Sequence, residues 1–169
     1  MTLIARRTAL IFAALALAAP LATARAADTL PDSRFVGYAQ AINDFEIGSA
    51  RLALSKSSNE NVRAFATRAL ADHTEAAERL SKARSEAGVT YAPDPSRPAS
   101  TIAVLQRLGA LEGPEFDTAF ANAQLALMTE AEAQYGANSQ SGGLKRYAQE
   151  ELPKMQKRAE YARRLAGGL

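Results

Sequence analysis

The sequence predicts an all-α protein built as a four-helix up-down bundle. Three observations lead there. Ala, Leu, Glu, Lys, Arg and Gln dominate the composition, the set that costs a helix least. Apolar residues return every three or four positions over four long stretches, and no stretch alternates with a period of two. Short polar or glycine-bearing segments separate two of the neighbouring stretches, as antiparallel helix pairs require.

The first helix is expected over residues 33–56, capped by Asp32 or Ser33. Its inward face reads Phe35, Ala39, Ile42, Glu46, Ser49 and Ala53. A tight "SKSSN" turn leads to a second helix over residues 59–87, capped by Asn59 and closed by Gly88. Its stripe runs through Val62, Phe65, Ala66, Ala69, His73, Ala76, Ala77 and Leu80. Three prolines in "VTYAPDPSRPAS", residues 89–100, forbid a regular helix there and suit a crossover along the bundle. A short extra helix over 99–108 follows in that crossover. The third long helix starts at Pro114, whose missing amide proton costs nothing in a first turn. It runs to residue 134 with Phe116, Phe120, Ala123, Leu127, Ala131 and Gln134 on one face, and Asp117 serves its start. After the turn "GANSQSGG", the last helix covers 144–165 through Leu144, Ala148, Leu152, Met155, Ala159, Ala162 and Leu165. Pro153 should kink that helix without ending it, because the apolar period continues across it.

Residues 1–26 read as a cleavable signal peptide: Arg6 and Arg7, then "TALIFAALALAAPLA", then the small-x-small site "ARA". The expected address is the periplasm or cell envelope, with residues 27–169 as a single domain. Removing three arginines from the chain's 20 bases leaves 17 against 18 acids, a net charge near −1. A nucleic-acid partner is disfavoured, since no basic surplus survives. Near-neutral charge also argues against strong membrane association after cleavage. Without cysteine there is no thiol catalysis, iron–sulfur cluster or covalent haem attachment.

Polar residues on inward faces are the informative ones, because a buried charge must be paired or metal-bound. Glu46 falls eleven residues after Phe35 and His73 eleven after Val62, each in line with its stripe and near mid-helix. On antiparallel neighbours they reach about one level. His73 is read first as a neutral core histidine satisfied by Glu46 or a backbone carbonyl. The alternative is a mononuclear iron, zinc or manganese site from Glu46, His73 and Glu130. The single histidine argues against a dinuclear centre, which needs two Glu-x-x-His pairs and further carboxylates. Met128 and Met155 read as core filling. Tyr135, Tyr147 and Tyr161 read as a cluster between helices with hydroxyls at the rim.

"AFATRALADHTEA", "GPEFDTAF" and "ELPKMQKRAEYAR" resemble the DUF4142 proteins, exported bacterial proteins of ferritin-like four-helix architecture. The resemblance spans nearly all of the mature chain and implies fold and address rather than a reaction. It also implies an inward glutamate at Glu46 and an Asp-His pair at Asp72-His73. The family's further histidines, in the third and fourth long helices, fall at Met128 and Arg158. Methionine ligates hard cations poorly and a guanidinium repels them. Arg158 is therefore expected to pair with Glu46 or Glu151, supplying from within the charge a metal would have supplied. These readings lead to a noncatalytic envelope protein, with no cofactor, that binds a protein partner or self-associates, or that buffers stress. The runner-up is a ferritin-like metal-binding or redox protein using Glu46 and His73.

Overall fold

The computed structural model describes residues 31–90, 96–137 and 140–169, so the proposed signal segment lies outside the described residues. All secondary structure among them is helical: α1 (Asp32–Lys56), α2 (Glu60–Glu86), α3 (Ser96–Gly109), α4 (Gly113–Gly136) and α5 (Gly142–Gly167). None of the described helices is long and apolar enough to cross a membrane.

Local chemistry sets both ends of α2 and favours the start of α4. Asn59 caps α2, its side-chain oxygen accepting from the amides of Asn61 (2.9 Å) and Val62 (3.3 Å). Gly88, at φ 63°, ends α2 in the left-handed conformation that glycine adopts without strain. Pro114 lies in the first turn of α4, and α5 runs through Pro153 as one helix.

Three expectations need correction. Asp32 does not cap α1, whose N-cap is Pro31. Its carboxylate instead accepts from the Ser141 amide (3.0 Å) and hydroxyl, tying the start of α1 to the start of α5. The crossover helix begins at Ser96, because Pro98 falls in its first turn, where no intrahelical amide bond is lost. Asp117 is buried with Oδ1 lacking a partner among the described residues, and α4 starts without any side-chain cap.

Helix neighbours follow from named pairs. Asn43 meets His73 and the Leu54 carbonyl meets Arg63, so α1 and α2 run antiparallel. Glu86 faces Arg146, Arg79 faces Glu151 and Asp72 faces Arg158, so α2 and α5 do the same. Phe35 packs on Tyr135 and Ser49 bonds Gln124, which sets α1 against α4. The α4–α5 pair makes the most extensive packing alongside α1–α2, and α3 lies on α1 and α4. Gly48 admits Leu105 of α3 closely: a Cβ there would stand 3.3 Å from it.

The apolar interior divides into two clusters. One gathers Phe35, Ile42, Leu80, Met128, Tyr135 and Met155. The other gathers Phe45, Val62, Leu108, Phe116, Phe120 and Leu165. Burying a large side chain of this kind contributes about 1.5–3 kcal/mol, so each cluster stabilises its own end of the molecule.

Candidate functional site

What lies between the two clusters is polar. Asn43 on α1, His73 on α2 and Gln124 on α4 are buried polar residues between the stretch serving one cluster and the stretch serving the other, and the buried Glu46 and Ser49 follow on α1 just past Phe45 of the second cluster. Arg158 on α5 sits at the edge of the first cluster's stretch and is 8% exposed.

Glu46 is nearly inaccessible at 1% exposure. Burial pushes its carboxyl up to about 8, and the Arg158 charge moderates that rise. The carboxyl is therefore mostly neutral at pH 7. One end of the Gln124 amide lies 2.7 Å from both Glu46 oxygens, and the other lies 2.9 Å from Ser49 Oγ. This geometry serves both protonation states. When Glu46 is neutral, its O–H donates to Gln124 Oε1, and the amide NH₂ donates to Ser49 Oγ. When Glu46 is ionised, the amide turns over: its NH₂ donates to the carboxylate and its oxygen accepts from the Ser49 hydroxyl. Ser49 Oγ also lies 3.3 Å from the Glu46 carbonyl, to which it donates in the neutral state.

His73 is fully buried, and its Nδ1 lies 2.9 Å from Asn43 Oδ1. Asn43 Oδ1 is an acceptor, so Nδ1 carries the proton and Nε2 presents a lone pair. That Nε2 has no hydrogen-bond partner among the described residues. Burial, reinforced by the Arg158 charge, holds the imidazole pKa well below its usual value, so His73 is neutral. Its partner is the Asn43 amide rather than Glu46 or a backbone carbonyl.

Arg158 joins this interior to the surface. Its guanidinium lies 3.5 Å from Glu151, which is fully buried, and 3.3 Å from Asp72 on α2. Glu151 also pairs with Arg79 and, at 3.1 Å, with Lys154. Arg79 reaches Glu75 (3.4 Å) and Glu150 (3.6 Å) as well. A buried carboxylate with three cationic neighbours keeps its charge compensated when one of them moves.

Glu130 is half-buried on α4. Among the described residues no three His, Cys, Asp or Glu side chains stand close enough to hold a metal ion together, so Glu130 does not complete a set with Glu46 and His73. The tyrosine expectation divides. Tyr135 and Tyr147 pack with Phe35 at centroid distances of 5.2–6.3 Å, and both are buried rather than at a rim. Burial raises both phenols above their ordinary value. Tyr161 lies elsewhere, among the cations of the α2–α5 surface.

Sequence reasoning missed Asn43, Gln124 and Arg79, and read Ser49 only as part of the inward face of α1. Asn43 stands three residues before Glu46, the same-face spacing on a helix, and that signal was there to use. Gln124 was hidden by the phase of α4. Its buried face runs Phe116, Phe120, Gln124, Met128, Ala131 and Tyr135, leaving the expected Ala123, Leu127 and Gln134 half-buried.

The model of the domain of unknown function DUF4142 matches residues 17–165. The chain belongs to the DUF4142 family. No curated protein and no solved structure matches it. In this DUF4142 protein the interior polar layer holds a carboxyl, an amide and a hydroxyl from α1 (Glu46, Asn43 and Ser49), the His73 imidazole from α2, the Gln124 amide from α4 and the Arg158 guanidinium from α5.

Proposed function

We propose that this DUF4142 protein is a noncatalytic binding protein of the bacterial envelope, built as a ferritin-like four-helix bundle with a degenerate interior site. Its targets are a protein partner, a second copy or another ligand. The arrangement of contacts supports the architecture. The long helices α1, α2, α5 and α4 pack as a closed ring of antiparallel neighbours, α1 against α4 included. In chain order that is up, down, down, up, and the segment bearing α3 makes the long crossover between α2 and α4. The envelope address is supported by the leader-like residues 1–26.

One observation supports the noncatalytic reading: the mostly buried Arg158 guanidinium is held by Glu151 and Asp72 beside the polar interior. Arg158 acts electrostatically on both Glu46 and His73. A permanent positive charge there opposes metal binding and compensates the acids without one. Nor does the layer hold an activated nucleophile. The Ser49 hydroxyl bonds Gln124 and the Glu46 carbonyl, and the His73 Nδ1 proton is committed to Asn43.

A second reading is favoured by one feature, the unpartnered Nε2 of His73. Metal-bound imidazoles commonly have their other nitrogen fixed by an oxygen acceptor, as Asn43 fixes this one. Iron, zinc or manganese bound there would draw on Glu46 and His73 and would have to displace Arg158. Elemental analysis and oligomeric state, measured together on wild type and His73→Ala after growth in metal-supplemented medium, decide between the readings. The binding-protein reading expects equal, substoichiometric metal in both proteins. Near-stoichiometric metal lost in His73→Ala overturns it.

A further inference from the structure

Outside the polar layer, a groove of about 810 Å³ lies between α2 and α5. Its size falls in the range of small-molecule sites, roughly 300–1,000 Å³. One wall is the α2 face carrying Phe65, Arg68, Ala69 and Asp72. The other is the α5 face that repeats every three or four residues through Lys154, Lys157, Arg158, Tyr161 and Arg164, ending at Leu165.

Charge is gathered here far beyond the chain's average. Five cations line the groove, from Arg68, Lys154, Lys157, Arg158 and Arg164, against the single side-chain acid Asp72. The cations are also held in place. The guanidinium of Arg164 lies 4.6 Å from the centre of the Tyr161 ring, that of Arg68 5.6 Å, and the Lys157 ammonium 5.9 Å. Three like charges around one ring repel each other. Neither Arg68 nor Lys157 has a carboxylate partner among the described residues, whereas Arg164 is paired with Glu160. Arg158, mostly buried, forms part of the floor and is fixed from behind by Glu151. Apart from Asn61, the remainder of the lining carries no polar side chain, with Phe65, Ala69, Leu165 and Leu169 among its apolar members.

We propose that this groove binds an amphiphilic organic anion, a slender acyl or aromatic body bearing one carboxylate or phosphate group. The anionic head is held by Arg158, Lys157 and Arg68, and the apolar body lies along Phe65 and Leu165. Charge complementarity selects the head. The cations are already ordered on Tyr161, so little side-chain freedom is lost when the anion arrives. A bare inorganic anion would leave the apolar walls wet, which is why an amphiphile fits better. The proposal deepens the binding-protein reading by giving it a ligand class. Its failure is separable from failure of that reading, because metal analysis reports on the interior and the titration below reports on the groove.

The test is isothermal titration of the purified protein with sodium dodecanoate below its micellar concentration. Parallel titrations use dodecyltrimethylammonium, of equal chain length and opposite charge, and inorganic phosphate. One-site binding of dodecanoate is expected, about tenfold or more tighter than either comparison. The double variant Arg68→Glu/Lys157→Glu should weaken it by about tenfold or more. Arg51→Glu/Arg107→Glu, with the same change in net charge away from the groove, should retain it. Tyr161→Phe keeps the ring and should bind as wild type, and Tyr161→Ala should bind more weakly. Equal binding of the cationic surfactant, equal binding of phosphate, or equal losses in the two double variants would each overturn the proposal. So would attachment to phosphatidylglycerol vesicles by a protein that does not take up dodecanoate, since that marks a membrane-docking face.

Discussion

Replacing Glu46 by Gln isolates the cost of a buried carboxyl in the helical interior. The carboxyl is raised from its ordinary value of 4.5 to about 8 in the folded protein. Between those values the folded state holds a proton that the unfolded chain has released. The contribution of Glu46 to stability is therefore complete below about pH 4.5, declines as pH rises through the window, and is lost above about pH 8. At about 1.4 kcal/mol per pH unit, the fall over the whole window is about 5 kcal/mol. Glutamine has the shape of the neutral acid and donates to the same Gln124 oxygen, but it never ionises. At pH 5 the variant should lie within about 1 kcal/mol of wild type, the scale of one neutral hydrogen bond exchanged for another. By pH 9 it should be the more stable protein by several kcal/mol. Urea unfolding at a series of pH values checks this, and a gap of that size moves the midpoint by about 2 M for an ordinary urea slope. Other carboxylates titrate in both proteins and cancel in the difference. Parallel stability curves from pH 5 to pH 9, or a variant that loses ground as pH rises, would refute the reasoning.

Other substitutions probe the rest of the layer and its supports. His73→Leu leaves the Asn43 oxygen buried without its donor, a loss of about 1–3 kcal/mol at pH 7. The His73 pKa is depressed in the fold, so its contribution is present above pH 6.5 and lost as pH falls; the deficit of the variant should narrow from pH 7 to pH 5 in the same urea assay. Arg158→Met should cost roughly 1–2 kcal/mol, below the ~3–5 kcal/mol of an acid left wholly uncompensated, because Arg79 and Lys154 still face Glu151. An Arg158→Met protein that melts as wild type would show that the ion pair contributes nothing. Asn59→Ala should cost about 1 kcal/mol in a thermal or urea melt, and Asn59→Gly less, through loss of the α2 cap.

The helices were legible because their determinants are local. Asn59, Gly88 and Pro114 act within one turn, and the apolar period needs no partner to be seen. Errors arose where the fold recruits a residue from afar: Asp32 bonds Ser141 rather than its own helix. Glu46 and His73 stood out because each interrupts an apolar stripe. Gln124 did not, since the apolar residues of α4 admit two phases one residue apart, and only packing against α1 and α5 selects between them. Arg79 reads in sequence as a solvated helix charge, and its tie to Glu151 exists only because α2 and α5 are neighbours. The groove is invisible for the same reason. "KMQKRAEYAR" shows cations around a tyrosine, but not the α2 wall that turns them into a concavity.

Arg158 belongs to both places, which gives a linkage that neither predicts alone. The same guanidinium lines the groove, contacts Asp72 and lowers the Glu46 pKa by its charge. An anion bound against it offsets part of that charge as felt inside. The Glu46 pKa then rises further, and near pH 8, where the carboxyl is about half ionised, the complex takes up protons. Binding of dodecanoate should accordingly weaken as pH climbs from 7 to 9, beyond any change in the ligand, which is already ionised there. Titration at pH 8 in buffers of different ionisation heat measures the proton uptake directly. Glu46→Gln should abolish that uptake and flatten the pH dependence while leaving dodecanoate bound, because Glu46 is not among the residues that line the groove. Uptake that persists in Glu46→Gln would mean the proton comes from another group, and the interior and the groove would then be independent.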